Sequence, residues 1–395
     1  MKLKLAIFSF VFILLSLAQI NKITTREFVL DEYIWIPAGI TFVDKLSHGE
    51  FEKTNLSTRP GVTVEIVTGT TTTLVRRLNN QKDLFTTQIS ENEIFVNRVV
   101  IGLILALLAS LSFFPLSILL GQRNAALGTL LLGLNPLLIR LQAAWTDLFL
   151  ALFLVLSLFC YLVFWEKKNK SFLFLSALAF GLALASKAFA IILIPSLALS
   201  SIWFNFNKEN VKNALRSVFV VFAGGLAIVY LIYPFLWVKP FGLFFRYPEL
   251  TNNFSTSVTD QYFGSFSVFF YPYNLFLYDF FLAVLVSLLL LPTILHLVRK
   301  RSWPNIIQFP VLFFLLNLVA LLIVSQAKYL THNTGQNIAG YRYFAPAVFS
   351  LILFLVASSA FVAEKVNFWG RKSSVPKIFP FLVLGYYLFE FFFWR

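Results

Sequence analysis

Charge is scarce in this chain of 395 residues: Asp, Glu, Lys and Arg fill 13% of positions, about half the share found in soluble domains. So little charge cannot cover a folded surface in water. Cysteine is nearly absent. Cys160 stands alone, which excludes an intramolecular disulfide and a cysteine metal cluster. His48, His296 and His332 are too scattered for a His-rich metal site. Acids are also few, 18 against 32 basic residues, for a net charge of +14. No internal repeat is visible, and the composition excludes disorder, collagen-like sequence and coiled coil.

Apolar residues, by contrast, make up 58% of the chain, with 48 phenylalanines. At about 20 residues per crossing this is material for roughly ten membrane spans. Apolar runs fall at 4–20, 95–120, 125–141, 146–165, 171–186, 188–205, 215–236, 275–298, 307–327, 342–363 and 378–394. The expectation is an all-α polytopic membrane protein of about 11 transmembrane helices. It forms one domain over 1–395, with no separate soluble domain. The two short runs between 171 and 205 meet at Ser186-Lys187. Lys2 and Lys4 ahead of an apolar run ending at Ser16-Leu17-Ala18 also suit a cleavable signal peptide.

Basic residues orient these spans. One set of short loops carries 16 of the 32 Lys and Arg residues against Glu166, Glu209 and Glu364, a net of +13. By the positive-inside rule this face is cytoplasmic, so the basic balance gives no reason to expect nucleic acid. The amino terminus is then inside. The opposite face has the long loops, at 21–93, 237–274 and 328–341. In the first of them, the aromatic stretch Tyr33 to Val43 reads as a helix lying in the membrane interface. Residues 61–78 read as a second interfacial segment.

Ionisable residues at the outer boundary are informative, because charge there is costly unless used or paired. Five groups stand out: Asp31-Glu32, Asp147, Lys187, Arg342 and Arg59. Each has an ordinary reading too. The acids suit helix N-termini, Lys187 could snorkel to the headgroups, Arg342 could be an interfacial anchor, and Arg59 could be a solvated loop residue. Together they place two carboxylate sites and three cations on one face. That set suits sugar transfer from a lipid-linked phosphate. A base takes the acceptor's proton, and the phosphate leaving group needs positive charge rather than a general acid. Arg is apt for this role because its planar fork grips phosphate oxygens in pairs.

The order of these motifs resembles the GT-C membrane glycosyltransferases, in particular glycosyltransferase family 39, which includes the protein O-mannosyltransferases and the aminoarabinose transferase of lipid A. The resemblance rests on Asp31-Glu32, Arg59-Pro60-Gly61-Val62-Thr63, Asn135-Pro136 with Trp145-Thr146-Asp147, and the helices meeting at Lys187. It extends to Tyr233-Pro234-Phe235-Leu236-Trp237 and to Tyr341-Arg342-Tyr343 with Pro346. The chain departs from the family where many relatives carry His-Pro, here Arg59-Pro60, and where relatives place Asp, here Tyr341. The resemblance implies a polyprenyl-phosphate-linked sugar donor, inversion and an extracytoplasmic active site. It implies Asp31 as general base, with Glu32 orienting it or the acceptor, and Asp147 as the second carboxylate. Arg59, Lys187 and Arg342 become donor-phosphate ligands, and Tyr33, Trp237, Tyr341 and Tyr343 are candidates for the donor or acceptor pocket. No obligatory metal is expected; a divalent cation taking part would be Mg or Mn. The partners are the lipid-linked sugar and the surrounding membrane lipids. The competing reading from the residues is a secondary transporter or lipid flippase, which would show inverted repeats and charges at mid-membrane.

Overall fold

The computed structural model describes residues 2–23, 30–55, 61–135, 145–204, 208–242, 284–286, 288–289, 311, 345–365, 367–368, 371–372 and 378–393. These residues are helical apart from turns and a two-residue antiparallel pair that sets Asn367 against Lys372 and Phe368 against Arg371. Four helices are long and apolar enough to cross a membrane, namely Lys2–Asn21, Glu91–Leu120, Trp145–Lys167 and Val211–Ile232. The chain is a multi-pass membrane protein. The spans expected at 275–298 and 307–327 lie almost wholly outside the described residues.

Helix α1 (Lys2–Ile23) is apolar on all sides and leaves Leu3, Phe10, Ile13 and Leu17 uncovered, as a helix facing lipid does. The interfacial helix expected near Tyr33 is longer than its aromatic core. As α2 it runs Leu30–Ser47, so Asp31 and Glu32 fall in its first turn. Helix α3 (Val62–Leu78) matches the second expected segment. The two helices cross at glycines. A Cβ on Gly69 would collide with the Gly39 carbonyl, and one on Gly39 with Thr68.

Helix α4 (Glu91–Leu111) starts on a capping box. Ser90 Oγ accepts from the Glu93 amide, and Glu93 Oε2 accepts from the Ser90 amide at 2.8 Å. It continues past Ser112 into α5 (Phe113–Leu120), where Pro115 sits in the first turn and leaves no internal hydrogen bond unmade. Gly121, at φ 79°, turns the chain into α6 (Gln122–Gly133). Beyond it, Asn135 donates to the Tyr387 hydroxyl at 2.8 Å, tying α6 to the last helix.

Helix α7 (Trp145–Lys167) is the buried centre of the bundle, with Leu148 through Val155 all in the core. It pairs with α8 (Lys170–Ser186) through reciprocal hydroxyl–carbonyl bonds between Ser157 and Ser176 at 2.8 and 2.9 Å. The break expected at Ser186-Lys187 is present. A 3-10 turn over Ala188–Ile192 leads to α9 (Leu193–Phe204). Helix α10 (Lys208–Ile232) packs closely on α8, with the Phe180 ring against Gly225. A short helix α11 (Phe235–Val238) follows, then α12 (Ala345–Lys365) and α13 (Phe379–Phe393). One apolar cluster joins α1 to α10, α12 and α13. A smaller one, of Phe42, Val62, Ala185, Val229, Tyr233, Phe235 and Leu236, gathers the ends of α2, α3, α8 and α10.

Candidate active site

Two of the expected site residues, Asp147 and Lys187, come from helix ends that the bundle brings side by side. Asp147 lies in the first turn of α7, where the helix dipole favours an acid. Lys187 lies just past the last turn of α8, in extended backbone. Forty residues apart in sequence, they form an ion pair between Lys187 Nζ and Asp147 Oδ1, with Asp147 1% exposed. Neither pairing nor burial was legible in the sequence, where Lys187 has no carboxylate neighbour.

Glu32 is fully buried and is gripped in fork geometry by Arg98 of α4, with Nε to Oε1 at 2.6 Å and Nη2 to Oε2 at 2.7 Å. This contact pins the first turn of α2, and with it the backbone position of Asp31. A bidentate Arg–carboxylate pair is both stronger and more directional than a single bond. Arg98, Gln19, Gly102 and Trp145 share the wall of a small cleft beside the pair. Trp145, in the first turn of α7, lies two residues before Asp147 in sequence.

Helix α3 completes the arrangement. Thr63 and Ser186 hydroxyls bond at 2.7 Å, which holds the start of α3 against the break that presents Lys187. Gly61 lies on the ring of Trp35, where a side chain would collide with the indole. Thr68 Oγ1 donates to the Trp35 carbonyl at 2.9 Å. On the far side, the turn Phe51–Thr54 is clamped to the end of α10. Tyr233 donates to Asn55 Oδ1 at 2.6 Å, Lys239 pairs with Glu52, and Trp237 meets Phe51 edge-on at 5.2 Å. Tyr33 and Trp237 are 54% and 43% exposed, so they offer aromatic surface rather than core packing.

The Asp31 side chain and residues Arg59, Tyr341, Arg342 and Tyr343 lie outside the described residues. Two further buried or half-buried ionisable residues, Arg98 and Glu65, were not singled out from sequence. Arg98 had a signal, a cation inside an otherwise apolar run. Glu65 had one too, an acid in the α3 segment. Glu65 is 2% exposed, and its burial pushes the carboxyl up to about 8.

A divalent cation would need free carboxylates. Glu32 is matched by Arg98, Asp147 by Lys187 and Glu93 by Arg76. Among the described residues no three metal-ligating side chains gather.

With this geometry in hand, the chain can be set beside known proteins. Residues 84–237 match the family model described as dolichyl-phosphate-mannose-protein mannosyltransferase. No curated protein matches the chain. The oligosaccharyltransferase of Archaeoglobus fulgidus, crystallised with zinc and sulfate, is similar at a TM-score of 0.54 and 13% identity, over 97% of this chain and 52% of that one. Its apo form gives 0.54 and 12%, over 98% and 55%. The oligosaccharyltransferase AglB from the same archaeon, in complex with an inhibitory peptide and a dolichol-phosphate, gives 0.51 and 12%, over 98% and 55%. The present chain spans about half the length of these solved proteins. It has the fold of the GT-C membrane glycosyltransferases, and its residues 84–237 carry the sequence pattern of the dolichyl-phosphate-mannose-protein mannosyltransferase family.

Proposed function

We propose that the protein is an integral membrane glycosyltransferase that moves a sugar from a polyprenyl-phosphate-linked donor to an extracytoplasmic lipid, glycan or protein acceptor, with inversion. The observation that carries this reading is the pair of carboxylate–cation couples with buried carboxylates, Glu32–Arg98 and Asp147–Lys187, in a GT-C fold. A transporter reading would place such charges at the middle of broken helices; here Glu32 and Asp147 lie in first helical turns and Lys187 just past the last turn of α8.

In the proposed step Asp31 takes the proton from the acceptor hydroxyl. That oxygen attacks the anomeric carbon on the face opposite the phosphate, the bond from this carbon to the phosphate oxygen breaks, and the lipid phosphate leaves as a monoester. Glu32, locked by Arg98, holds Asp31 in register. Lys187 offers its charge to the donor phosphate from a position fixed by Asp147, and Arg59 and Arg342 supply the remaining positive charge. Tyr33, Trp237, Tyr341 and Tyr343 line the approach of donor or acceptor. The reaction proceeds without an obligatory metal. The site faces away from the cytoplasm and the amino terminus faces it, as the loop charges require.

Asp31→Asn tests the assignment. Transfer from a polyprenyl-phosphate sugar should fall at least about a hundredfold, in line with loss of a general base, while donor still binds the detergent-purified protein. Wild-type turnover in that variant would remove Asp31 as the base.

A further inference from the structure

Five acidic or basic side chains are buried among the described residues: Glu32, Glu65, Arg76, Glu93 and Asp147. Four belong to ion pairs. Glu65 has neither ion pair nor side-chain hydrogen bond among the described residues. The buried charges on the helices packed against α3 are already committed, Glu32 and Arg98 to each other, Asp147 to Lys187, and Glu93 to Arg76 of α3 itself.

The position of Glu65 is well determined. Its carbonyl abuts Gly39 of α2, and the bonds of Thr63 and Thr68 fix the helix on either side of it. Glu65, Thr72 and Arg76 are spaced i, i+7, i+11, so they project within about 40° of one another along one stripe. Thr72 and Arg76 use that stripe to reach Asn97 and Glu93 of α4, at 2.8 and 2.6 Å. Next along α4, Arg98 reaches Glu32. A polar seam thus runs between α2, α3 and α4 toward the start of α2. Glu65 stands on it about 10 Å beyond Thr72, with no ion pair or side-chain hydrogen bond among the described residues.

For packing alone, Leu would fill this position without the cost of an unbonded buried polar group. Being neutral near pH 7, the carboxyl presents one O–H donor and one carbonyl acceptor. A substrate hydroxyl, itself both donor and acceptor, satisfies both at once. We propose that Glu65 is a specificity-determining residue that receives a hydroxyl of the substrate, on the transferred sugar or on the acceptor, at the inner end of the α2–α3–α4 seam. This inference rests on the glycosyltransferase reading.

The test compares Glu65→Gln, which keeps a donor and an acceptor, with Glu65→Leu, which keeps neither. Both are made in the full chain and assayed with a polyprenyl-phosphate sugar and a hydroxyl-bearing acceptor. Glu65→Leu should lose at least about a hundredfold in kcat/KM, since a site built around a hydroxyl depends on that bond. Its thermal midpoint should equal or exceed that of the wild type, and Glu65→Gln should stay within about fivefold of wild-type kcat/KM. A rise confined to the donor KM assigns the hydroxyl to the sugar; a rise in the acceptor KM assigns it to the acceptor. Unchanged kcat/KM in Glu65→Leu overturns the proposal. So does failure of that variant to fold, because a carboxyl with no partner among the described residues offers no bond for Leu to remove. If Asp31→Asn is inactive while Glu65→Leu transfers normally, only this inference falls. If the wild type transfers no sugar, or Asp31→Asn transfers as the wild type does, the underlying reading falls with it.

Discussion

Arg76 and Glu65 lie three turns apart on the same stripe of α3, and their surroundings are opposite. Arg76 is 1% exposed and fully engaged, with Glu93 through two nitrogens and with the carbonyls of Leu84, Thr86 and Gln88 at 3.2, 2.6 and 2.6 Å. It stitches the loop between α3 and α4 to both helices. Glu65 is 2% exposed with no such partner among the described residues. A buried charge that serves architecture is saturated with hydrogen bonds, whereas one left with open valences invites a ligand.

The largest expected effect comes from abolishing the saturated end. Arg76→Met strands the Glu93 carboxylate and three carbonyls, which should cost about 3 to 5 kcal/mol. It should appear as a collapse in the thermal midpoint and yield of purified protein, with activity lost in proportion to folded material. A stable, active Arg76→Met protein would contradict the structural role of that cluster. Next in size is Gly69→Ala, which pushes α3 away from the Gly39 carbonyl. A cost of about 1 to 3 kcal/mol is expected for such overpacking, together with weakened transfer, because the shift also disturbs Thr68–Trp35 and Gly61–Trp35. An unchanged midpoint would mean that the crossing tolerates a wider spacing.

A third measurement sharpens the contrast at Glu65. Its carboxyl titrates at about 8 in the folded chain against 4.5 ordinarily. Between those values the unfolded chain has released the proton and the folded chain has kept it, so stability falls as pH rises from 4.5 toward 8. Midpoints measured across that range should decline for the wild type and decline less steeply for Glu65→Leu. Parallel slopes in the two proteins would show that Glu65 does not titrate differently on folding.

The sequence made some of this legible and hid the rest, for identifiable reasons. Asp31-Glu32 and Asp147 were visible because acids at the edges of apolar runs are exceptional. The break at Lys187 was visible because two short apolar runs meet there. The α3 segment at 61–78 was visible from composition, although the burial of its one acid, Glu65, was not. Arg98 was hidden in plain view within the run 95–120. Its value became apparent only with Glu32, 66 residues earlier, in its fork. Asn135 could be noticed as part of an Asn-Pro motif, but its partner Tyr387 is 252 residues away.

By itself, then, the sequence determined the membrane environment, the helical class and the face on which the site is expected. Apolar run length and loop charge act locally, residue by residue, against lipid and water. Only the tertiary structure decided which charges neutralise one another and which is left over. Counter-ion choice depends on helix ends from distant parts of the chain arriving within about 3 Å of each other, and that proximity is a property of the packed bundle. Arg98 for Glu32, Lys187 for Asp147 and no partner for Glu65 among the described residues are outcomes of that packing.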